Sequence, residues 1–325
     1  TKEDGSIYTM PVKFGIPMIE GNKDIIAGIT DLTTEADAAE SQKDSYGKLQ
    51  FFSDFSIAPS YLIQGTIDNS IPAWMNEDGT LNENAVKEYL EQVNRIWQTQ
   101  KNAIEETKKA YQMGDDWADS DHSGYMDISG SVTSLLAKVD TVAAGGLLSP
   151  EGLVSLDSAR KVDPDLDYKL LNGQSENCFY PRSAVGVSAK ASEKEAAEKF
   201  VKFLFEEESQ RASNTEGLAV NSKVYEDMAY WKMGKSSGDT IGSIGASYDT
   251  GDGNIKQIEM DEIIPEDEAI QNIMDLGKTL TVPAKSNQII RNAVTESGEK
   301  YLNGETGLDD AVKEIMQEVN LYLSE

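Results

Sequence analysis

Residues 178–221 read CFYPRSAVGVSAKASEKEAAEKFVKFLFEEESQRASNTEGLAVN, and the fold turns on how they are read. Residues 184–188 are a short β-branched run flanked by small residues, the pattern of a buried strand. Ser192 and Glu195 stand in the S-x-x-E spacing of a capping box, which predicts a helix start. Ala196, Ala197, Phe200, Val201 and Leu204 then recur at i, i+3/i+4 and share an apolar face, while Lys194, Glu198, Lys199 and Lys202 face water. Residues 206–212 read as one or two further helical turns, and Gly217 as a stop before 218–221. Periodicity alone gives a strand packed on a helix, with no chemistry attached.

Outward from this unit, the whole chain has 325 residues, enough for two domains or one large one with a sizeable core. No run of eighteen apolar residues occurs, so no segment reads as a membrane-spanning helix. With 57 acidic against 29 basic residues the formal charge is −28. Such a field repels a phosphate backbone and no basic stripe interrupts it, which argues against a nucleic-acid partner. The one cysteine, Cys178, has no internal disulfide partner and reads as a small core residue. With one histidine, His122, and no Cys/His spacing, neither a zinc site nor another metal or cofactor is expected.

Residues 29–48, with Thr33 and Thr34, fit a short helix. In residues 48–62, Phe51, Phe52, Phe55 and Tyr61 gather around Asp54, and Pro59 closes the segment. Rings beside a carboxylate suit a pyranose, whose C–H face stacks while its hydroxyls donate to the carboxylate. The same residues also fit a core strand and a helix start. Trp74 is either an exposed platform or the lid of a small core. Asn82 caps a helix whose one face carries Ala85, Val86, Tyr89, Leu90, Val93, Ile96 and Trp97, and residues 98–112 continue as helix. Residues 113–130 are the most site-like loop, holding Trp117, His122 and Tyr125. Asp119, Asp121, Ser123, Gly124 and Asp127 follow a calcium-loop spacing, but Gly130 stands where the bidentate glutamate belongs.

Residues 131–146 end in Gly145 and Gly146, where a backbone can approach a ligand closely. Ser149 with Pro150 reads as a cap and first helical residue. Tyr180-Pro181-Arg182 places a guanidinium before the expected strand, suited either to a ligand or to a salt bridge. After Tyr225, Tyr230 and Trp231, the Gly/Ser-rich residues 234–253 read as a mobile loop. The tail from residue 265 reads as two or three helices, the last with Leu308, Ala311, Val312, Ile315, Met316, Val319 and Tyr322 on one face.

The order of strand, Lys/Ala-rich helix, acidic turn and G-L-A-V-N in residues 178–221 resembles the return crossover of the extracellular solute-binding proteins of ABC importers. It is most similar to their carbohydrate-binding group, family 1, which includes maltose-binding protein. Three stretches keep that family's order: residues 4–24 (DGSIYTMPVKFGIPMIEGNKD), residues 138–153 (KVDTVAAGGLLSPEGL) with the DPDL turn at 163–166, and the terminal helix in residues 301–325. The resemblance implies an α/β, periplasmic-binding-protein-like (type II) fold of two lobes. It implies a first crossover strand in 1–20, a second lobe in 21–180, a returned part of the first lobe in 181–262, and helices in 263–325 packing on the second lobe. The family's leading βα units are expected before this stretch, so the first lobe is expected to be partial here, with an export signal and lipid anchor belonging to the full-length protein.

What it implies for function is capture of a small solute, a sugar or oligosaccharide, in an interlobe cleft, for delivery to ABC permease subunits by an extracellular, monomeric lipoprotein without catalysis. The implied ligand-binding residues are Asp54, Phe55, Trp74, Trp117, Tyr125, Gly146, Leu147, Tyr180, Arg182 and Asn287. The sequence departs from the family where Glu20 and Gly21 replace a tyrosine, where Leu147 and Leu148 replace a stacking aromatic, and where Asn287 and Gln288 stand for an aromatic on a helix. Two other readings are a glycan-active enzyme, for which 57 acids leave a carboxylate pair open, and a ligand-free adhesin or scaffold on the same fold.

Overall fold

The computed structural model describes residues 9–42, 50–52, 58–110, 127–212, 217–249, 254–284 and 287–323. Everything in it is arranged about β1 (Met10–Asn22), a 13-residue strand. Apolar residues point to both of its sides, so it must be covered on both. Ile16 and Met18 enter one core and Ile19 the other.

The chain continues through α1 (Lys23–Ile26), α2 (Leu32–Gln42), β2 (Gln50–Phe52), α3 (Pro59–Ile67), α4 (Ile71–Trp74) and the long α5 (Glu83–Ala110). A 3-10 turn (Ile128–Ser131) leads to α6 (Val132–Ala137), β3 (Asp140–Leu147), α7 (Pro150–Val162), β4 (Leu166–Leu170) and β5 (Cys178–Val185). Then come α8 (Lys194–Leu204), α9 (Glu207–Arg211), β6 (Leu218–Ala219), α10 (Ser222–Tyr225), α11 (Met228–Trp231) and the ribbon β7 (Thr240–Asp249) and β8 (Ile255–Ile263). The chain closes with α12 (Asp267–Thr279), β9 (Val282–Pro283), α13 (Gln288–Leu302) and α14 (Leu308–Leu323).

The main sheet runs β2-β3-β1-β5-β9, with β4 and β6 also paired to β1. β1 changes neighbours halfway along. From Ile16 to Asn22 it is antiparallel to β3 (Ile16 opposite Leu147) and to β4 (Asn22 opposite Leu166). From Met10 to Gly15 it is antiparallel to β5 (Gly15 opposite Tyr180), and Lys13 and Phe14 pair with β6. The second exchange requires a glycine. A Cβ on Gly217, at φ 151°, would lie 2.7 Å from Lys13 Cβ and 2.9 Å from the Phe14 carbonyl oxygen.

Two cores flank the sheet. One joins α2, α3, α4, α5, α13 and α14 through Leu32, Ile63, Trp74, Tyr89, Val294 and Ile315. The other joins α6, α7, α10 to α12 and the ribbon through Leu135, Leu156, Tyr225, Trp231, Met260 and Ile273. The ribbon lies on α6 and α7 of the second lobe, α12 packs with the returned segment, and α13 and α14 alone pack with α3 and α5.

Several expectations hold. Asn82 caps α5 through the Ala85 amide, Ser149 caps α7 through the Gly152 amide, and Cys178 is buried. Others are corrected. The strand expected at 184–188 begins at Cys178, because pairing with β1 carries it through Pro181. Past Phe179 it has no second neighbour among the described strands, an edge position where proline is tolerated. Ser192 does not cap α8: Glu193 is the cap residue and makes no side-chain cap bond. The apolar face of α8 exists but is not core, since the helix has no buried residue and Phe200 and Phe203 are 58% and 50% exposed. Pro59 opens α3 instead of closing a segment, and Tyr322 is 40% exposed.

Within the expected loop at 234–253, Thr240–Asp249 is strand β7, antiparallel to β8, and 250–253 lie outside the described residues. Its small residues alternate with Ile244, Ala246 and Tyr248, which gives the ribbon a packed face. Side chains fix it in place: the Tyr248 hydroxyl meets Thr133 at 2.8 Å, Lys256 donates to the Leu136 and Ala137 carbonyls at the end of α6, and Ser155 donates to Glu262 at 2.7 Å.

Gln210, fully buried, ties the returned segment to β1. Its amide nitrogen donates to the carbonyls of Val12 (2.9 Å) and Leu204 (2.7 Å), and its amide oxygen accepts from Val220 (2.8 Å). Gln210→Ala strands these buried groups, and a loss of about 2–3 kcal/mol is expected in denaturant unfolding. An unchanged midpoint would show that water replaces the amide.

Glu35 on α2 is buried with one carboxyl oxygen unbonded, and burial, with the nearby Asp31 charge adding to it, raises its pKa from 4.5 to about 8. A raised acid keeps its proton when folded and releases it when unfolded, so its contribution falls as pH rises from about 4.5 through 8. The melting temperature of Glu35→Gln is expected to vary less with pH across that window than the parent's. Parallel curves would refute the assignment.

Candidate functional site

The exchange of partners along β1 gathers several chain ends at one level of the sheet. β3 ends at Leu147, opposite Ile16, and β5 carries Tyr180 opposite Gly15. β2, parallel to β3, stops short of this level at Phe52 beside Val142, and Asp127 bridges to Gly146 at it. β9, parallel to β5, ends at Pro283, and α13 begins nearby. Two buried glycines lie at the change. A Cβ on Gly15 would lie 2.5 Å from Leu148 Cδ2, and one on Gly146 would lie 2.8 Å from the same atom and 3.3 Å from the Tyr180 ring. Leu148 therefore lies across both glycines and against Tyr180.

The residues expected to bind ligand fall into three groups. Asp54, Phe55, Trp117 and Tyr125 lie outside the described residues, as do Asp119, Asp121, His122, Ser123 and Gly124 of the calcium-like spacing. Asp127, its described member, caps the 3-10 turn by accepting from Ser129 at 2.9 Å. Among the described residues no acidic, His or Cys group could hold a metal ion. Gly146 and Arg182 lie on strands paired to β1, Gly146 opposite Pro17 and Arg182, half-buried, opposite Lys13.

The third group is engaged elsewhere. Trp74 is fully buried, its indole N–H donating to Gln174 at 2.6 Å and its ring edge-on to Tyr89 at 5.0 Å, so neither face is open to a solute. Leu147 is fully buried in the second core, and Tyr180 is 3% exposed. Burial pushes the Tyr180 phenol well above its ordinary pKa. Asn287 caps α13, its side-chain oxygen accepting from Ile289 (3.0 Å) and Ile290 (3.2 Å).

Sequence reasoning missed Gly15 and Lys13, and noted Glu20 and Leu148 only as departures from the family. Glu20 is fully buried with neither carboxyl oxygen hydrogen-bonded. Burial raises its pKa well above the carboxylate range, and the nearby Arg160 charge opposes the rise only in part. Lys13 is 4% exposed and donates to the Gln210 carbonyl at 2.7 Å; burial lowers its pKa. Its signal in the sequence was a lone lysine inside an otherwise apolar strand.

A sheet that changes partners midway along one strand, with two buried glycines at the change, is the architecture of a two-lobe binding protein hinged at its crossover strands. The model of the bacterial extracellular solute-binding protein family matches residues 2–211, and the chain belongs to that family. No curated protein matches by sequence. Among solved structures, a putative oligosaccharide periplasmic-binding protein from Synechococcus sp. MITs9220, in complex with zinc, is 11% identical with a TM-score of 0.52, over 98% of this chain and 73% of that one. An ABC transporter solute-binding protein from Agrobacterium vitis S4, with bound D-mannitol, is 12% identical with a TM-score of 0.50, over 99% and 74%. At such identities the likeness is one of fold.

Asn287 allows its structural role to be separated from a role in binding. Asn287→Ala removes the α13 cap and is expected to cost about 1 kcal/mol, whereas Asn287→Ser keeps a good cap and should melt with the parent. Equal losses in the two variants would show that the amide does more than cap.

Proposed function

We propose that this chain captures a sugar or short oligosaccharide in the cleft above Gly15 and Gly146 and delivers it to the permease subunits of an ABC importer. The observation that carries the proposal is that β3 and β9 end and β5 begins at the point where β1 changes partners. Solutes held there touch both halves of the sheet, and contact with both biases the lobes toward closure. Family membership supports the transport role. Of the similar structures, one is described as a putative oligosaccharide-binding protein and one holds D-mannitol, which supports a polyhydroxylated ligand.

Asp54, Phe55, Trp117, Tyr125 and Arg182 remain the proposed contacts. Rings would stack on the sugar's C–H face, and carboxylate and guanidinium would take paired hydroxyls. Trp74 and Leu147 are withdrawn because the cores enclose them. The chain works by binding without bond cleavage, outside the cell and held to the membrane by a lipid anchor.

A thermal-shift panel of mono-, di- and oligosaccharides, with amino acids, peptides and calcium as controls, tests this reading. A rise of several degrees with one sugar class is expected, because a ligand specific to the folded state stabilises it by mass action. A rise with amino acids or peptides and none with sugars would overturn the sugar assignment. Release of reducing ends from an oligosaccharide would overturn the binding role.

A further inference from the structure

Glu20 lies on the half of β1 that pairs with β3 and β4, opposite Ala143 on one side and Tyr168 on the other. Its side chain shares a face with Met18, Ala143 and Leu166, and so points into the second core, beneath α7. It is fully buried, and among the described residues no group hydrogen-bonds to either carboxyl oxygen. Thr141, also buried and on the same face, leaves its hydroxyl unbonded too. An acid with no donor to it in such a place is uncharged, because a bare carboxylate out of water is costly.

A cation stands close by. The Arg160 guanidinium of α7 lies 5.0 Å from the centre of the Tyr168 ring, the neighbour directly across from Glu20, and its Nε is 3.2 Å from an Asp167 carboxyl oxygen. The Arg160–Asp167 pair is exposed on both sides, by 39% and 47%, where water and salt leave an ion pair little strength. Other charges around Glu20 are already matched: Asp157 of α7 pairs with Lys161 at 3.2 Å, and Lys23 of α1 with Asp165 at 3.0 Å. Beside Glu20, β3 brings Thr141, Ala143 and Gly145 to this face, none of them titratable. Burial holds the Glu20 pKa well above the carboxylate range, while the Arg160 charge pulls it down and that of Asp167 pushes it up.

We propose that Glu20 and Arg160 form a proton-linked latch between β1 and α7. While Glu20 keeps its proton, Arg160 stays out over Tyr168 and Asp167; when the proton passes to solvent, the guanidinium turns inward to the carboxylate and releases Asp167. Arginine suits the exchange, since its fork takes a carboxylate through two donors and its long stem lets the head move while the backbone of α7 stays. The latch trades a weak, exposed pair on β4 for a buried one on the strand that crosses between the two halves of the sheet. Alkaline conditions tie α7 to β1, and acid frees it. This goes beyond sugar capture and does not rest on it.

The test is thermal unfolding of the full chain, with carbon-detected NMR of the arginine Cζ atoms, from about pH 5 to about pH 9. An acid that holds its proton to higher pH when folded than when unfolded loses its stabilising effect as pH rises. The parent should therefore melt with Glu20→Gln at the acid end and several degrees below it at the alkaline end. In Arg160→Gln, with no cation to receive the carboxylate, the decline should continue to higher pH than in the parent. Glu35 contributes alike to every variant and drops out of the comparison. The Arg160 Cζ resonance, assigned by its loss in Arg160→Gln, should move through the parent's decline and hold still in Glu20→Gln, which a merely buried acid would not bring about. Arg160→Gln, at a part-exposed position, decides the matter if Glu20→Gln does not fold. Parallel curves for the parent and Glu20→Gln, an Arg160→Gln decline that stops no later than the parent's, or an Arg160 resonance that stays still or moves alike in the parent and Glu20→Gln overturns the proposal.

Discussion

The structure depends on one strand satisfying two sets of neighbours. β1 gives its lower half to β3 and β4 and its upper half to β5 and β6, and the change falls between Gly15 and Ile16. Backbone groups in a buried strand must all be paired, so each half fixes the register of a different part of the chain. A slip of one residue in either half would turn Ile16 and Met18 out of one core and Ile19 out of the other. The close approach of Gly217 and the amide of Gln210 serve the same end, locking the returning chain to the upper half.

The rim follows from that constraint. Because β3 and β5 leave β1 at neighbouring positions, their ends and the loops beyond them open on one side. Gly15 and Gly146 leave room for the buried Leu148 side chain, which packs over both.

Much of this was legible in the sequence wherever a pattern is local. The α5 cap at Asn82 and its apolar face, the Ser149-Pro150 start of α7 and the crossing strand all follow from spacing alone. What was not legible depends on distant partners. Pro181 reads as a breaker until β1 is known to hold β5 on one side only. The face of α8 repeats correctly, but periodicity cannot say whether anything covers Phe200 and Phe203. Glycine and serine in residues 234–253 suggest a loop, and only the shelf made by α6 and α7 turns their alternation into a ribbon. Gly146 and Arg182 were singled out by residue type, and the structure places both near the crossing strands. Trp74 and Asn287 were misjudged because an indole or an amide looks the same in sequence whether it meets a ligand, a core or a helix end. Lys13 passed unnoticed because its surroundings come from α9, nearly two hundred residues away.

The central place of β1 also bears on the order of folding. Its described neighbours come late in the chain: β3 lies more than a hundred residues on, and β6 only at Leu218. Contacts of such long sequence separation close slowly, because loop entropy is lost before pairing rewards it. Until the returning chain reaches Ala219, this apolar strand has open edges and no settled register. A polypeptide built this way stays unfolded well into its synthesis, which is the state in which a chain can be threaded across a membrane.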